Sequence, residues 1–253
     1  MNLAVHGVDR PKVRTSDPVS MSKATDADLV DRVVSNPPFN QRIEHAKTVD
    51  WPFGRPPESN ANFAWLQLAW SRLSDSGTAA MIMPPAAAWS GGSEADIRKK
   101  MIADNAILGV IALPSNLFAR TSVPVHIWIL THAINEPVHT GTNPVLFIDA
   151  SQLGVQLPRQ QRVLTAGDVD RISSRFRAWQ RSHTAADEPG FSRSVSQKEI
   201  LDIGGSLDPR LYIETGQSQQ VSVKSTFVQK RTGAGERMGW PRRSKEPNRL
   251  HRW

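Results

Sequence analysis

The sequence predicts an α/β fold in which a sheet carries helices on both faces, followed by a C-terminal helical extension and a disordered basic tail. Short runs rich in Val, Ile and Leu recur along residues 1–151, and amphipathic segments separate them. The last part of the chain, in contrast, has neither helical nor strand periodicity. With 253 residues, 39% of them apolar and 22% charged, the chain is long enough to bury a core.

The first predicted strand ends abruptly. Val33 and Val34 favour a buried strand, and Pro37 and Pro38 must end it, because proline lacks an amide donor and fixes its own φ. The later stretch "SNANFAWLQLAWSRLSDSG" has a polar start and then apolar residues at helical spacing. It predicts an amphipathic helix that ends at Gly77, and "TAAMIMPP" predicts the strand that follows.

A second helix and three more strands follow. The stretch "SEADIRKKMIADN" predicts a helix in which Ser93 and Asp96 form a variant of the capping box. The runs "AILGVIALP", "VPVHIWIL" and "PVLFIDAS" are short and apolar, and Pro or polar residues bound each of them. Each therefore predicts a strand of the kind that is covered on both faces. His126 falls inside one of these runs, so we expect a buried histidine with satisfied hydrogen bonds rather than a base.

Two further helices are predicted after Ser151. "TAGDVDRISSRFRAWQRSH" has Thr165 as its N-cap. "SVSQKEILDI" has Ser196 and Glu199 in capping-box positions. The apolar side of the longer helix comprises Val169, Ile172, Phe176 and Trp179. Both helices are expected to pack on the sheet domain as an extension.

The predicted boundaries are 1–151 for the sheet domain, 152–215 for the helical extension and 216–253 for the tail. Residues 224–253 hold nine Lys or Arg against two acidic residues, a net charge of +7 that equals the charge of the whole chain. Such a segment is expected to be a solvated appendage, with loose DNA binding as the alternative.

Several classes of protein are disfavoured by composition. The chain contains no cysteine, so it has neither disulfides nor thiolate metal sites, and its seven histidines lack ligand-like spacing. No metal is therefore expected. The N-terminus does not resemble a signal peptide, and no apolar run approaches the roughly 20 residues of a membrane span. The expected location is the cytoplasm, without a membrane partner.

The stretch "SNPPF" is the strongest candidate for chemistry. In open α/β sheets ligands bind beyond the carboxyl ends of the strands, where this stretch is predicted to lie. The Asn36 side-chain oxygen and the Pro37 carbonyl could accept both hydrogens of an aromatic amine such as adenine N6, and Phe39 could stack on the base. Pro37 and Pro38 would hold the acceptors still. The alternative is an ordinary turn, because Asn-Pro often initiates one.

The sequence resembles the modification (M) subunit of type I restriction-modification systems, which is a DNA adenine-N6 methyltransferase. The resemblance runs in order from "MNLAVHGVD" through "DLVDRVVSNPPFN", "GGSEADIRKKMI" and "VIALPSNLFARTSVPVHIWIL" to "LDPRLYIE", over roughly residues 1–214. It implies a partial Rossmann-like methyltransferase sheet in residues 1–151, namely the half that holds the target adenine. By similarity to the family motif, Asn36, Pro37, Pro38 and Phe39 would form the adenine pocket.

The resemblance also implies a cofactor and partners. The methyl donor would be S-adenosylmethionine, and the substrate would be duplex DNA. A specificity subunit would read the DNA sequence, and a restriction subunit would complete the type I system. Phe118 and Thr121 fall in a family segment that could lie near the catalytic face, with simple loop packing as the alternative.

The sequence departs from the family in its cofactor-binding half. Family members carry a Gly-rich loop and an acidic ribose-binding residue upstream of the segment that resembles "MNLAVHGVD". Gly91 and Gly92 precede the second helix rather than follow the first strand, so they are not a displaced copy of that loop. Asp17 stands where the family has an Asp that could face the cofactor adenine, with a solvated turn as the alternative. We therefore expect no measurable binding of S-adenosylmethionine by this chain alone.

Three hypotheses about function remain open from the sequence. The chain could be a fragment of an adenine-N6 methyltransferase that works with a separate N-terminal half. It could be an inactive remnant, or a non-catalytic piece that binds DNA or other subunits. All three hypotheses retain the same motif, so the sequence does not choose among them.

Overall fold

The computed structural model describes residues 29–43, 49–118, 121–132, 144–158, 161–182 and 187–213. The elements in chain order are β1 Val30–Ser35, α1 Asn62–Trp70, β2 Leu73–Met83, α2 Ser93–Ala103, β3 Ile107–Ala112, β4 His126–Thr131, β5 Val145–Asp149, β6 Val155–Gln156, β7 Arg162–Val163, α3 Ala166–Ser182, β8 Ser192–Val195 and α4 Gln197–Asp202. Two short 3₁₀ helices are also present, Pro85–Ala88 between β2 and α2 and Pro209–Leu211 after α4. Within these segments, no helix combines the length and the apolar character needed to cross a membrane.

The main sheet has six strands in the order β1-β2-β4-β3-β5-β8. Strands β1 and β2 are parallel to each other, as are β3 and β5, whereas β4 runs antiparallel to both of its neighbours. Strands β1, β2, β3 and β5 therefore all point the same way, and β4 and β8 oppose them. The carboxyl ends of four parallel strands thus lie along one edge of the sheet, where open α/β sheets bind their ligands.

Helices cover both faces of the sheet, as predicted. Alternate residues of β4 show this directly, because Trp128 and Leu130 belong to one buried cluster while Ile129 belongs to the other. The first cluster receives apolar side chains from α1, α2 and α4, and the second receives them from α3. A residue's position along a strand therefore decides which group of helices it meets.

The helix predicted to end at Gly77 ends earlier, at Trp70. Gly77 instead lies within β2, where four residues of β2 face a single residue of β1 between the pairs Val30–Leu73 and Arg32–Thr78. A Cβ at Gly77 would lie 2.8 Å from that of Leu73, so glycine is needed for close approach rather than as a helix cap.

Predicted N-caps are confirmed in two of three cases. The Thr165 hydroxyl accepts a hydrogen bond from the Asp168 amide at 3.2 Å, and the Ser196 hydroxyl accepts one from the Glu199 amide at 3.2 Å. The Ser93 cap is wrong, because Gly92 is the N-cap residue and no side chain caps α2. The φ of Gly92 is 62°, a left-handed conformation that favours glycine.

Three other expectations differ from the structure. The first strand was expected to be buried, but Val34 is 85% exposed, and β1 is an edge strand of the sheet. Val169, assigned to the apolar side of α3, is half exposed. Residues 152–215 also contribute more than helices, because they supply β8 to the main sheet and the β6–β7 hairpin.

Candidate functional site

The stretch from Asn36 to Phe39 follows β1 directly, at the edge where the parallel strands end. Val33 pairs with Ala79 and Ser35 pairs with Met81, so β1 is in register with β2 up to its last residue. The chain leaves the sheet there because Pro37 and Pro38 can donate no backbone hydrogen bond to a ladder. The predicted strand and its abrupt end are both confirmed.

No described residue engages either of the two predicted acceptors. The Asn36 residue is exposed, and within the described ranges its side chain has no hydrogen-bond partner. The Pro37 carbonyl likewise accepts no hydrogen bond from the described residues, although the Pro37 ring is buried. The next carbonyl differs, because the Trp65 indole donates to the Pro38 oxygen at 3.1 Å. The Trp65 indole thus holds the loop at the Pro38 carbonyl, and no described residue binds the Asn36 side chain or the Pro37 carbonyl.

Phe39 is half-buried and belongs to the edge of the second apolar cluster. Ile82 of β2, Ile127 of β4 and Phe118 pack against the same cluster. Phe118 also forms an isolated bridge with Thr121, which closes the loop between β3 and β4. The structure therefore places Phe118 on the same side of the sheet as Phe39, whereas Thr121 is exposed. A partly accessible aromatic ring beside exposed acceptors suits the stacking of a planar base.

Sequence reasoning missed the contacts that hold this loop. Asn40 has a left-handed backbone with φ of 53°, and Asn62 binds both its backbone and its side chain. Asn62 was interpreted only as part of the polar start of a helix. The sequence does show a polar residue at the N-terminus of an apolar helix, which indicates a hydrogen bond there. It does not show which loop that residue binds.

His126 lies at the same edge of the sheet, as the first residue of β4. It is 3% exposed, as expected for a buried histidine, but its Nδ1 has no hydrogen-bond partner among the described residues, so the expectation of satisfied hydrogen bonds is wrong. Burial lowers the pKa of His126 to about 4, with the Asp208 carboxylate opposing this shift. Its imidazole is consequently neutral at pH 7.

The described residues do not fit the methionine part of S-adenosylmethionine. A cofactor loop of this type needs glycines directly after a strand and before a helix. Gly91 and Gly92 precede α2 but follow the 3₁₀ helix Pro85–Ala88. A Cβ at either glycine would meet no atom within 4 Å, so neither is required for close approach. Asp17 lies outside the described residues, and no group of acidic or histidine side chains within them could hold a metal ion.

Comparisons with known proteins agree with the resemblance. The family model for N-6 DNA methylase matches residues 1–220. The methylase subunit of the type I restriction enzyme HindI from Haemophilus influenzae is 32% identical over 229 residues, covering 88% of this chain and 50% of that protein. The MjaIX methylase subunit from Methanocaldococcus jannaschii is 31% identical over 225 residues, covering 84% of this chain and 39% of that protein.

The fold comparison gives the same result. The methyltransferase subunit of a type I restriction-modification system from Streptococcus thermophilus superposes with a TM-score of 0.71 at 26% identity, covering 85% of this chain and 45% of that structure. This chain thus spans half or less of the length of these relatives. With a family match over residues 1–220 and a shared fold, the chain belongs to the N-6 DNA methylase family and is similar to type I modification subunits.

Proposed function

We propose that this chain forms the target-adenine part of a type I modification subunit. The reaction would be methyl transfer to N6 of an adenine that is flipped out of duplex DNA. The observation that carries the proposal is a pair of acceptors that no described residue engages, the Asn36 side chain and the Pro37 carbonyl, which follow β1 beside the half-buried Phe39. The similarity to type I methylase subunits supports the choice of DNA as the substrate.

The chemistry follows from the electronic structure of adenine. Its N6 amine is a poor nucleophile because the lone pair is delocalised into the ring. Two acceptors that take both amine hydrogens favour a more localised lone pair, and the rigid prolines keep those acceptors in place during the reaction. Phe39 would stack on the flipped base, which contributes about 1 to 3 kcal/mol in such contacts. Flipping is required because an enzyme cannot reach N6 chemistry within the base stack.

The methyl donor and the partners belong to the same proposal. The family uses S-adenosylmethionine, but the described residues supply no cradle for it. Donor binding would therefore draw on residues outside the described ones, in this chain, in a separate N-terminal half or in the rest of a longer polypeptide. A specificity subunit would read the DNA sequence, and a restriction subunit would complete the assembly.

The test is to identify the methylated product. A complete modification subunit that contains this sequence, combined with its specificity subunit, is incubated with tritiated S-adenosylmethionine and unmodified DNA. Digestion to nucleosides should place the label in N6-methyldeoxyadenosine. Label in a cytosine derivative, or no transfer by the complete assembly, would contradict the proposal.

A second experiment separates the catalytic hypothesis from the remnant hypothesis. Calorimetric titration of this chain alone with S-adenosylmethionine should show no binding, because the described residues lack the cofactor loop. Mixing with a separately expressed N-terminal half should restore binding if the chain is part of a split enzyme. Stoichiometric binding by the chain alone would show that the cofactor site is here after all. No restoration on mixing would favour the remnant hypothesis.

A further inference from the structure

The loop that carries the candidate acceptors is fixed from one side by two residues of α1. Asn62, the first residue of α1, is 1% exposed. Its Oδ1 accepts a hydrogen bond from the Asn40 amide at 3.0 Å, and its Nδ2 donates to Asn40 Oδ1 at 2.9 Å. One turn along the helix, the Trp65 indole donates to the Pro38 carbonyl at 3.1 Å. We call Asn62 and Trp65 the α1 clamp.

The clamp engages the loop on both sides of Phe39. Pro38 precedes Phe39 and Asn40 follows it, so the backbone of Phe39 is held between two anchored residues. Asn40 also needs this support, because its φ of 53° is a left-handed conformation that costs most side chains free energy. Asparagine tolerates that conformation better than most residues. The clamp therefore selects one arrangement of the loop out of several that the chain could adopt.

The polar groups of the clamp are not needed to pack α1. The helix buries Phe63 and Leu66 in the first apolar cluster, and this apolar contact does not involve the polar atoms of the clamp. Burying an amide such as that of Asn62 costs free energy unless its hydrogen bonds are made, and here both hydrogen bonds of its side chain go to Asn40 of the loop. The clamp also uses the carbonyl of Pro38 and leaves that of Pro37 unengaged by the described residues.

We infer that Asn62 and Trp65 are positioning residues that hold Asn36, Pro37 and Phe39 in the geometry that receives the target base. The inference rests on the proposed function, because the base is the adenine of that proposal. Neither clamp residue would touch the base. They act through the backbone of the loop, so weakening them should disturb the reacting geometry more than the stability of the fold.

The test uses a matched pair of substitutions on one helix. Trp65→Phe removes the indole donor to the loop and keeps an aromatic ring. Trp70→Phe is the control, because the Trp70 indole donates to the Thr131 carbonyl at 2.8 Å, in β4 rather than in the loop. Both variants lose one comparable hydrogen bond from α1. In the complete modification subunit with its specificity subunit, Trp65→Phe should lower kcat about tenfold while Trp70→Phe leaves kcat near that of the parent.

A second readout does not depend on methyl transfer. Duplex DNA with 2-aminopurine at the target adenine reports base flipping by its fluorescence. Asn62→Ala should reduce the fluorescence rise on binding, and Asn62→Asp, which keeps an acceptor for the Asn40 amide, should retain more of it. If Asn62→Ala unfolds the protein, Trp65→Phe and Asn62→Asp still provide the comparison.

The outcomes separate this inference from the proposed function. If Trp65→Phe matches Trp70→Phe in kcat, and Asn62→Ala matches the parent in base flipping, the clamp does not position the loop. In that case a loss of methylation in Asn36→Ala would leave the proposed function intact. Full methylation by Asn36→Ala would instead overturn the proposed function itself.

Discussion

Acid should destabilise this protein through His126, which is buried at the carboxyl edge of the sheet. The imidazole is 3% exposed, and its Nδ1 has no hydrogen-bond partner among the described residues. Burial lowers its pKa to about 4; the carboxylates of Asp208 and Asp149 oppose the shift, and Arg210 adds to it. Folding therefore favours the neutral form of the histidine.

The sign and the size follow from the two pKa values. In the unfolded chain the pKa of His126 returns to 6.5, so the unfolded state takes up the proton first as the pH falls. The free energy of unfolding should therefore decrease between about pH 6.5 and about pH 4 and change little above that range. Folding lowers the pKa of His126 from 6.5 to about 4. Because each unit of pKa corresponds to about 1.4 kcal/mol, the full effect on the free energy of unfolding is about 3 kcal/mol. That is a large part of the 5 to 15 kcal/mol typical of a folded protein.

Urea unfolding followed by tryptophan fluorescence at several pH values between 7 and 4 would measure this loss. His126→Leu is the control, because it removes the titrating group with a side chain of similar size. Other groups also titrate in the range, so the informative quantity is the difference in pH dependence between parent and variant. The parent should lose about 3 kcal/mol more than His126→Leu between pH 7 and pH 4. Equal losses would show that the buried histidine does not control acid stability.

Three further predictions concern other parts of the chain. Arg98→Met should lower the free energy of unfolding by about 2 to 4 kcal/mol in a urea titration, because the buried guanidinium binds the carbonyls of Gly205, Ala87 and Ser90. Phe39→Ala should weaken engagement of the flipped base more than Phe39→Trp does, as measured by 2-aminopurine fluorescence. Deletion of residues 224–253 should leave the melting temperature unchanged and weaken only salt-sensitive DNA binding, and a fall in melting temperature would contradict this prediction.

Local patterns were enough to predict most of the secondary structure. Strands β3 to β5 and the second part of β2 were identified because each is a short apolar run bounded by Pro or polar residues. The caps at Thr165 and Ser196 were found from residue type and spacing. The Asn36 to Phe39 loop was placed correctly after a strand because two prolines cannot continue a ladder. These features depend on neighbours in the sequence, so the sequence alone predicts them.

Features that depend on distant residues were missed. Strand β8 has only four residues, three of them polar, so its sequence shows no strand pattern. It belongs to the sheet because it pairs with β5, which is distant in the sequence. Gly77 was interpreted as a helix cap, whereas its role is set by the close approach of Leu73 inside β2. The bonds between Asn62 and Asn40 join residues 22 positions apart, which no local pattern indicates. Asp17 and the basic tail lie outside the described residues, and their assignments stay predictions.

The central claim is that Asn36 and its neighbours perform chemistry rather than support the fold. The most direct measurement is the rate of adenine-N6 methylation by a complete modification subunit carrying Asn36→Ala, with the melting temperature measured on the same preparation. Asn36 is exposed, and its side chain bonds to no described residue, so the melting temperature should stay near that of the parent. Methylation should fall by roughly a hundredfold or more, as for the loss of one preorganised hydrogen-bonding group in a catalytic site. A variant that methylates adenine at the parent's rate would contradict the claim.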